Sequence, residues 1–472
     1  MNNELWNSIL KFDLDNPPSE YGFSTRLANE NYWTNDFTAV AILEYKKFMY
    51  LAATSNFMVS PSEIVDTVWH QHLIFTQSYQ EFCTLIGKQV QHIPSTHNKE
   101  DFDKFKQAKE RTKKLYSESF GEQSNIFWEY SGMYESLNLK KATIKLRTFL
   151  VFGILVFIAL ILPSYSLLKP IYLQIHNPNF VLLFISLIII VFIGLELINR
   201  YYIKKILLSS DSQSFIYKLE PYELVYLKTQ KLTNVINGFV NELIDNKALK
   251  INADNTIRVV NTSKTKVKPK TITALATRKK TLLNTKEAIE TIRVSKEIGK
   301  SFYPVLAKQL VNKPIYENVS NCMDAFKKYF NKSVKFGYLF YINFAVLASI
   351  LLLGFIRLVM GISRDKPVTQ IFITTVFLLI AIIYYLNRLT KLVCIQTLPE
   401  MYKKDILPTR DIENNWQWNY FLMGPAVLTT AFVPLVNYVE NNNNNSSSNS
   451  SCGSSCGSSC GSSCSSCGGC GD

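Results

Sequence analysis

Residues 148–168 read TFLVFGILVFIALILPSYSLL, and residues 180–198 read FVLLFISLIIIVFIGLELI. At 21 and 19 residues, each is long enough to cross ~30 Å of hydrocarbon as a helix, and Glu196 is the only charged side chain in either. A second pair of the same lengths follows at 336–356 and 368–386. The chain is therefore read as mostly α, with a polytopic α-helical membrane region of four spans. Pro163 and Ser164 make the first span the least regular, and Glu196 lies close enough to the end of its span to snorkel.

Composition agrees. Of the 472 residues 47% are apolar, and mean hydropathy is slightly positive because this apolar content is gathered in long blocks. The formal charge of +14 in such a chain sets topology and lipid contact, and is weak grounds for a nucleic-acid partner. Met1 to Ser24 is polar with no apolar stretch, so no signal peptide is read and the first span is expected to act as the targeting signal.

Lysine and arginine crowd the outer ends of the four spans: Lys140, Lys141, Lys145, Arg147; Arg200, Lys204, Lys205; Lys327, Lys328, Lys332, Lys335; Arg388, Lys391. The connecting loops carry only Lys169 on one side and Arg357, Arg364 and Lys366 on the other. The positive-inside rule then expects the N-terminal region, residues 199–335 and the chain from 387 onward in the cytoplasm.

Before the first span, residues 1–35 read as an irregular polar lead and 36–135 as a helical, histidine-containing domain. Phe37, Val40, Ala41, Leu43, Glu44 and Phe48 have helical spacing. Ser60-Pro61-Ser62-Glu63 reads as a capping-box start, with Ser60 as cap. On the following helix Ile64, Val65, Val68, Trp69 and Leu73 share one broad face with His72, while Asp66 and His70 lie together on the other. Thr76 to Ile86 continues as a helix with Tyr79, Phe82, Cys83 and Ile86 on one face, capped at Gly87. Gln91-His92-Ile93-Pro94 is extended, and Lys99 to Phe120 is a charged helix.

Between the two membrane pairs, Leu219-Glu220-Pro221-Tyr222-Glu223-Leu224-Val225-Tyr226-Leu227 opens a helix, a second runs through Val235, Phe239, Leu243 and Ile244, and Lys250 to Val260 forms a hairpin. That order is winged-helix-like, and 199–335 is read so. Lys264 to Lys280 holds seven basic residues and no acidic one, which suits anionic lipid headgroups; the stacking aromatics of a nucleic-acid patch are missing. Residues 387–440 are membrane-proximal. Within them Trp416–Val439 carries no charge and is a possible fifth span, but Gly424, Pro425 and Pro434 favour an interfacial or re-entrant segment. Residues 441–472, rich in Asn, Ser, Cys and Gly, are expected to be disordered.

Two groups of residues could carry chemistry. His72, Cys83 and His92 could converge as ligands for zinc or another soft divalent metal, and Asp66 with His70 could form a carboxylate-oriented imidazole, a candidate catalytic pair. The plainer reading is a core in which His72 is buried and hydrogen-bonded and Cys83 acts as a small hydrophobe. In the tail, Cys452, Cys456, Cys460, Cys464, Cys467 and Cys470 have spacing that can hold soft metals without a preformed fold. The sequence shows no phosphate loop, no Gly-x-Ser-x-Gly and no paired-carboxylate signature.

Pro61-Ser62, Val65-Asp66, Trp69-His70-Gln71-His72-Leu73, Thr76, Tyr79, Cys83, Gly87, His92-x-Pro94 and Phe120-Gly121 together resemble the bacterial relatives of the glycine-rich domain-containing proteins. The chain departs from that pattern at Gln91, where a histidine is frequent, and at Phe75, where an aspartate is. The remainder, about 145–472, resembles a family of bacterial membrane proteins through the Leu219–Leu227 motif, the split helix pairs and the Gly/Cys-rich tail. Both resemblances imply a bacterial inner (plasma) membrane, and neither implies a reaction. The expectation is a membrane-anchored interaction or scaffold protein that contacts the bilayer and a protein partner. A metal-binding protein or metal-dependent enzyme using the histidine and cysteine cluster is the alternative.

Overall fold

The computed structural model describes residues 2–93, 99–260, 285–410 and 415–446. Lys264–Lys280 and the six tail cysteines lie outside the described residues. The N-terminal part is built of α1 (Asn3–Lys11), α2 (Phe23–Asn31), α3 (Asn35–Thr54), α4 (Glu63–Ile74), α5 (Thr76–Leu85), α6 (Lys99–Phe120) and the short α7 (Asn125–Trp128). Two of these correct the irregular polar lead. Helices α1 and α2 bury Ile9, Phe23 and Leu27 completely against α3, α4 and α5, so the lead is part of the core. Leu5, Trp6, Ile9 and Leu10 do repeat at helical spacing, as do Phe23 and Leu27, but each run covers only nine residues. The Lys46 ammonium closes α1 by donating to the carbonyls of Leu10 and Phe12, at 3.2 and 2.6 Å.

Helix α4 starts two residues later than expected. Ser62, not Ser60, is the cap: its hydroxyl accepts from Val65 N–H at 3.2 Å and donates to the Phe127 carbonyl at 2.6 Å. Ser60 is held outside the helix by its N–H bond to Thr112, 2.8 Å. At the other end of the pair Gly87 behaves as expected. With φ +69° it lets its own N–H reach the Thr84 carbonyl and that of Lys88 reach Cys83, the double bond of a Schellman cap.

Among the described residues four helices are long and apolar enough to cross a membrane: α8 (Leu146–Gln174), α9 (Asn177–Leu208), and, later in the chain, α15 (Val334–Ile362) and α16 (Thr369–Leu389). Each is longer than its apolar core as read from the sequence, apart from α16 at its start, because charged turns extend the helices beyond the hydrocarbon. Helix α15 is central and packs against the other three. Its Gly354 admits the Phe184 ring of α9 where a Cβ would sit 2.6 Å from the ring. Near the body, Asn199 and Asn343 exchange two amide hydrogen bonds of 2.8 Å, and Asn199 also donates to the Tyr385 hydroxyl at 2.8 Å. Glu196 does not snorkel alone; it accepts from Arg388 at 2.7 and 2.9 Å and from Arg200 at 2.8 Å.

Between the membrane pairs lie α10 (Pro221–Thr229), α11 (Leu232–Asp245), β1 (Leu249–Ile251), β2 (Thr256–Val259), α12 (Lys286–Ile298), β3 (Ser301–Phe302), α13 (Tyr303–Val311) and α14 (Pro314–Asn331). The three strands form an antiparallel sheet in the order β1-β2-β3, with Leu249 opposite Val259 in the expected hairpin. The Leu219–Leu227 motif starts α10 with Pro221 in its first turn and the Glu223 carboxylate accepting from Glu220 N–H at 2.8 Å. Burial, then the adjacent Glu220, push the Glu223 carboxyl well above its ordinary range.

After α16 come the short α17 (Leu398–Met401), flanked by two π-helical turns, then α18 (Trp416–Met423) and α19 (Val433–Ser446). The fifth span and the re-entrant segment are both corrected. Trp416–Val439 folds back on the extramembrane body: α18 packs on α10, Gln417 donates to Glu242 at 3.1 and 3.2 Å, and fully buried Phe432 meets the Tyr303 ring. The stretch lacks charge because Trp418, Tyr420, Phe421 and Phe432 are core residues of that body. One buried cluster runs from Ile9 through Leu243 and Tyr316 to Val439, so the N-terminal, middle and C-terminal segments share a core.

The asparagine pair should hold the membrane helices together. Replacing Asn343 with Ala is expected to weaken the bundle by about 1 kcal/mol, read as a lower midpoint in SDS titration of the detergent-solubilised protein. Ser349→Ala, which removes only an exposed hydroxyl bonded to its own helix, should leave that midpoint unchanged.

Candidate functional site

Helix phase divides the two histidines of α4 as the sequence suggests: His72 is fully buried, and the His70 side chain is 54% exposed. Around His72 the chain supplies aromatic walls from Phe23, Tyr45, Tyr79 and Phe82. Its Nδ1 lies 2.8 Å from the Tyr45 hydroxyl and its Nε2 3.1 Å from Ser78 Oγ, so a neutral ring satisfies both nitrogens. Burial, helped by the neighbouring Lys46 ammonium and opposed by Ser78, lowers the His72 pKa to about 4. Burial also brings Lys46 down to about 8, against the pull of Asp13 and Asp15.

Cys83 is buried in the same core, whereas His92 groups with Asp66 and His70. The expected convergence of His72, Cys83 and His92 is therefore corrected. His92 instead crosses to the opposite face of α4, where its Nε2 lies 2.9 Å from Asp66 Oδ1. His70 Nδ1 lies 3.2 Å from the other oxygen of the same carboxylate and 3.0 Å from the Asp66 backbone carbonyl. The two imidazoles are 4.3 Å apart between ring centres. Asp66, His70 and His92 thus offer one ligand atom each, all within 4.8 Å of one another.

The reason lies in residues 88–92, which follow the Gly87 cap. Lys88 donates to the carbonyls of Ala52 and Ser55, at 2.7 and 2.8 Å, closing the end of α3. Tyr79 accepts from Trp69 Nε1 at 3.1 Å and donates to the Val90 carbonyl. The chain is thereby laid across Trp69, whose indole meets the His92 ring edge-on at 4.7 Å. No spacing rule links position 92 to position 66. The extended reading of Gln91–Pro94 was the one sequence signal for a crossing there.

This region has relatives. Over residues 25–126 the chain is similar to the UCP032817-like family. The match runs from α2 into α7 and contains Asp66, His70, His72, Cys83 and His92. No curated protein and no solved structure matches the chain.

Further inside the domain, buried Glu44 accepts from Tyr116 and Trp128, each at 2.8 Å, and from Lys47 at 2.8 Å, tying α3 to α6 and α7. It is fully partnered and acts as a structural acid.

Because the folded His72 holds its proton only below pH about 4, while an unfolded histidine takes one up near 6.5, acidification through that window favours the unfolded chain. Stability is expected to fall by up to about 3 kcal/mol from this residue as pH drops from 6.5 to 4. Thermal melts of wild type and His72→Gln across that range check it, the difference between them shrinking toward acid pH.

Proposed function

We propose that the chain is a membrane-anchored interaction protein of the bacterial inner membrane, with its extramembrane body in the cytoplasm. The observation that carries the reading is the shared core: three segments separated by membrane helices pack into one body standing on a four-helix anchor. Such a body is held at the bilayer surface and presents its outer faces to a protein partner. Lys140, Lys141, Lys145, Arg147, Lys204 and Lys335 ring the ends of the helices on the body side, which supports contact with anionic headgroups and a cytoplasmic location. Lys264–Lys280 extends the same basic character and is proposed to contact lipid as well. The motif residues from Pro61 to Gly121 support kinship with the glycine-rich domain-containing proteins, and the Leu219–Leu227 motif supports a family of membrane proteins with Gly/Cys-rich tails. The winged-helix-like order of α10, α11 and the β1–β2 hairpin is proposed to serve protein contact.

Topology is tested in spheroplasts with a chain whose six tail cysteines are serine. A membrane-impermeant maleimide is expected to label Ser363→Cys, in the loop after α15, in intact spheroplasts, and to label Ser131→Cys, on the body, only after permeabilisation. The reverse pattern would put the body outside the cell.

A further inference from the structure

We propose that Asp66, His70 and His92 form a binding site for a divalent transition metal of the zinc class on the outer face of α4. The donor set is two imidazoles and a carboxylate, which suits zinc and its neighbours and is a poor cage for magnesium or calcium. With three protein ligands, a fourth position faces water. This assignment is independent of the interaction reading above.

Geometry favours it. Asp66 and His70 are one helical turn apart, so α4 places both on one face without cost. The Asp66 carboxylate directs one oxygen to each histidine, at 2.9 and 3.2 Å. Ligand atoms around tetrahedral zinc, bound at ~2.0–2.1 Å, stand about 3.3 Å apart; both histidine–carboxylate distances already match, and a turn of the exposed His70 side chain closes the rest of a set that lies within 4.8 Å. His92 is the anchored member, 16% exposed and fixed by Lys88, Val90 and Trp69. His70 is the adjustable one, its side chain 54% exposed. Its Nδ1 faces both the carboxylate and the Asp66 carbonyl. Binding through Nδ1 shifts the ring to the Nε2–H form and releases any Nδ1 proton to water.

A bound ion would also clamp residues 88–93 onto α4, adding metal bonds to the His92–Asp66 hydrogen bond and to the ring contacts of His92 with Trp69 and His70. Metal occupancy would then order the surface next to exposed Ile93 and Ile74.

The test uses the full chain in detergent micelles with the six tail cysteines replaced by serine, since those thiols compete for the same ions. Zinc binding is measured by competition with a chelating dye, and cobalt(II) is used as a visible-absorbing substitute. One zinc equivalent is expected, with intense low-coordinate cobalt bands and a change in tryptophan fluorescence from Trp69. His92→Ala should weaken zinc binding more than about 100-fold, beyond the 10–100-fold that loss of an outer partner costs. His70→Ala alters an exposed side chain and should fold normally while losing at least tenfold in affinity. His72→Gln, in the core, should keep wild-type binding. Absence of a stoichiometric site in the wild-type chain, or wild-type affinity in both His70→Ala and His92→Ala, overturns the assignment and leaves a hydrogen-bonded cluster.

Discussion

Two backbone hydrogen bonds hold the architecture at its narrowest point. Ala142 N–H donates to the Lys332 carbonyl and Val334 N–H to that of Lys140, each at 2.8 Å, making a one-residue antiparallel bridge between Lys141 and Ser333. It sits where the chain turns into α8 and into α15, so the first helices of the two membrane pairs leave the body side by side. Ser333 also caps α15 by accepting from Phe336 N–H at 3.2 Å. From there α14 carries the constraint back into the body. It packs on α2 and α10, with Asn318 donating to the Trp33 carbonyl at 3.1 Å and Asn29 donating to that of Pro314 at 3.0 Å. Membrane helix, middle segment and N-terminal domain are therefore one mechanical unit.

That unity explains which features could be read from the chain alone. The four spans were legible because hydrocarbon imposes length and apolarity on every residue of a segment. The apolar face of α4, the α5 cap at Gly87 and the β1–β2 hairpin were legible because each is a local pattern. What failed was non-local. Residues 1–35 looked like a lead because the helical spacing of Leu5, Trp6, Ile9 and Leu10 and of Phe23 and Leu27 is confined to two short runs in a polar stretch, and packing against α3, α4 and α5 shows their use. Trp416–Val439 looked like a membrane segment because a buried aromatic stretch and a lipid-facing one share composition.

The candidate site divides along the same line. The split between His70 and His72 followed from helix phase. The partner of His70 and Asp66 did not, because His92 reaches them through a crossing set by Lys88, Tyr79 and Trp69, contacts with no sequence period. One histidine of the Trp69–His72 stretch serves the core as a neutral hydrogen-bonding aromatic. The other shares a carboxylate at the surface, the position from which an ion can be reached.

The most direct measurement of the shared body is a disulfide across its narrowest point. Lys141 and Ser333 form a non-hydrogen-bonded antiparallel pair, whose Cα atoms are typically about 4.5 Å apart, within disulfide range. In the chain with serine at the six tail positions, Lys141→Cys with Ser333→Cys should crosslink almost completely under mild oxidation. Cleavage within residues 261–284 would then leave the two fragments joined on a non-reducing gel. Fragments that separate despite full oxidation of the sample would contradict a single body standing on paired membrane helices.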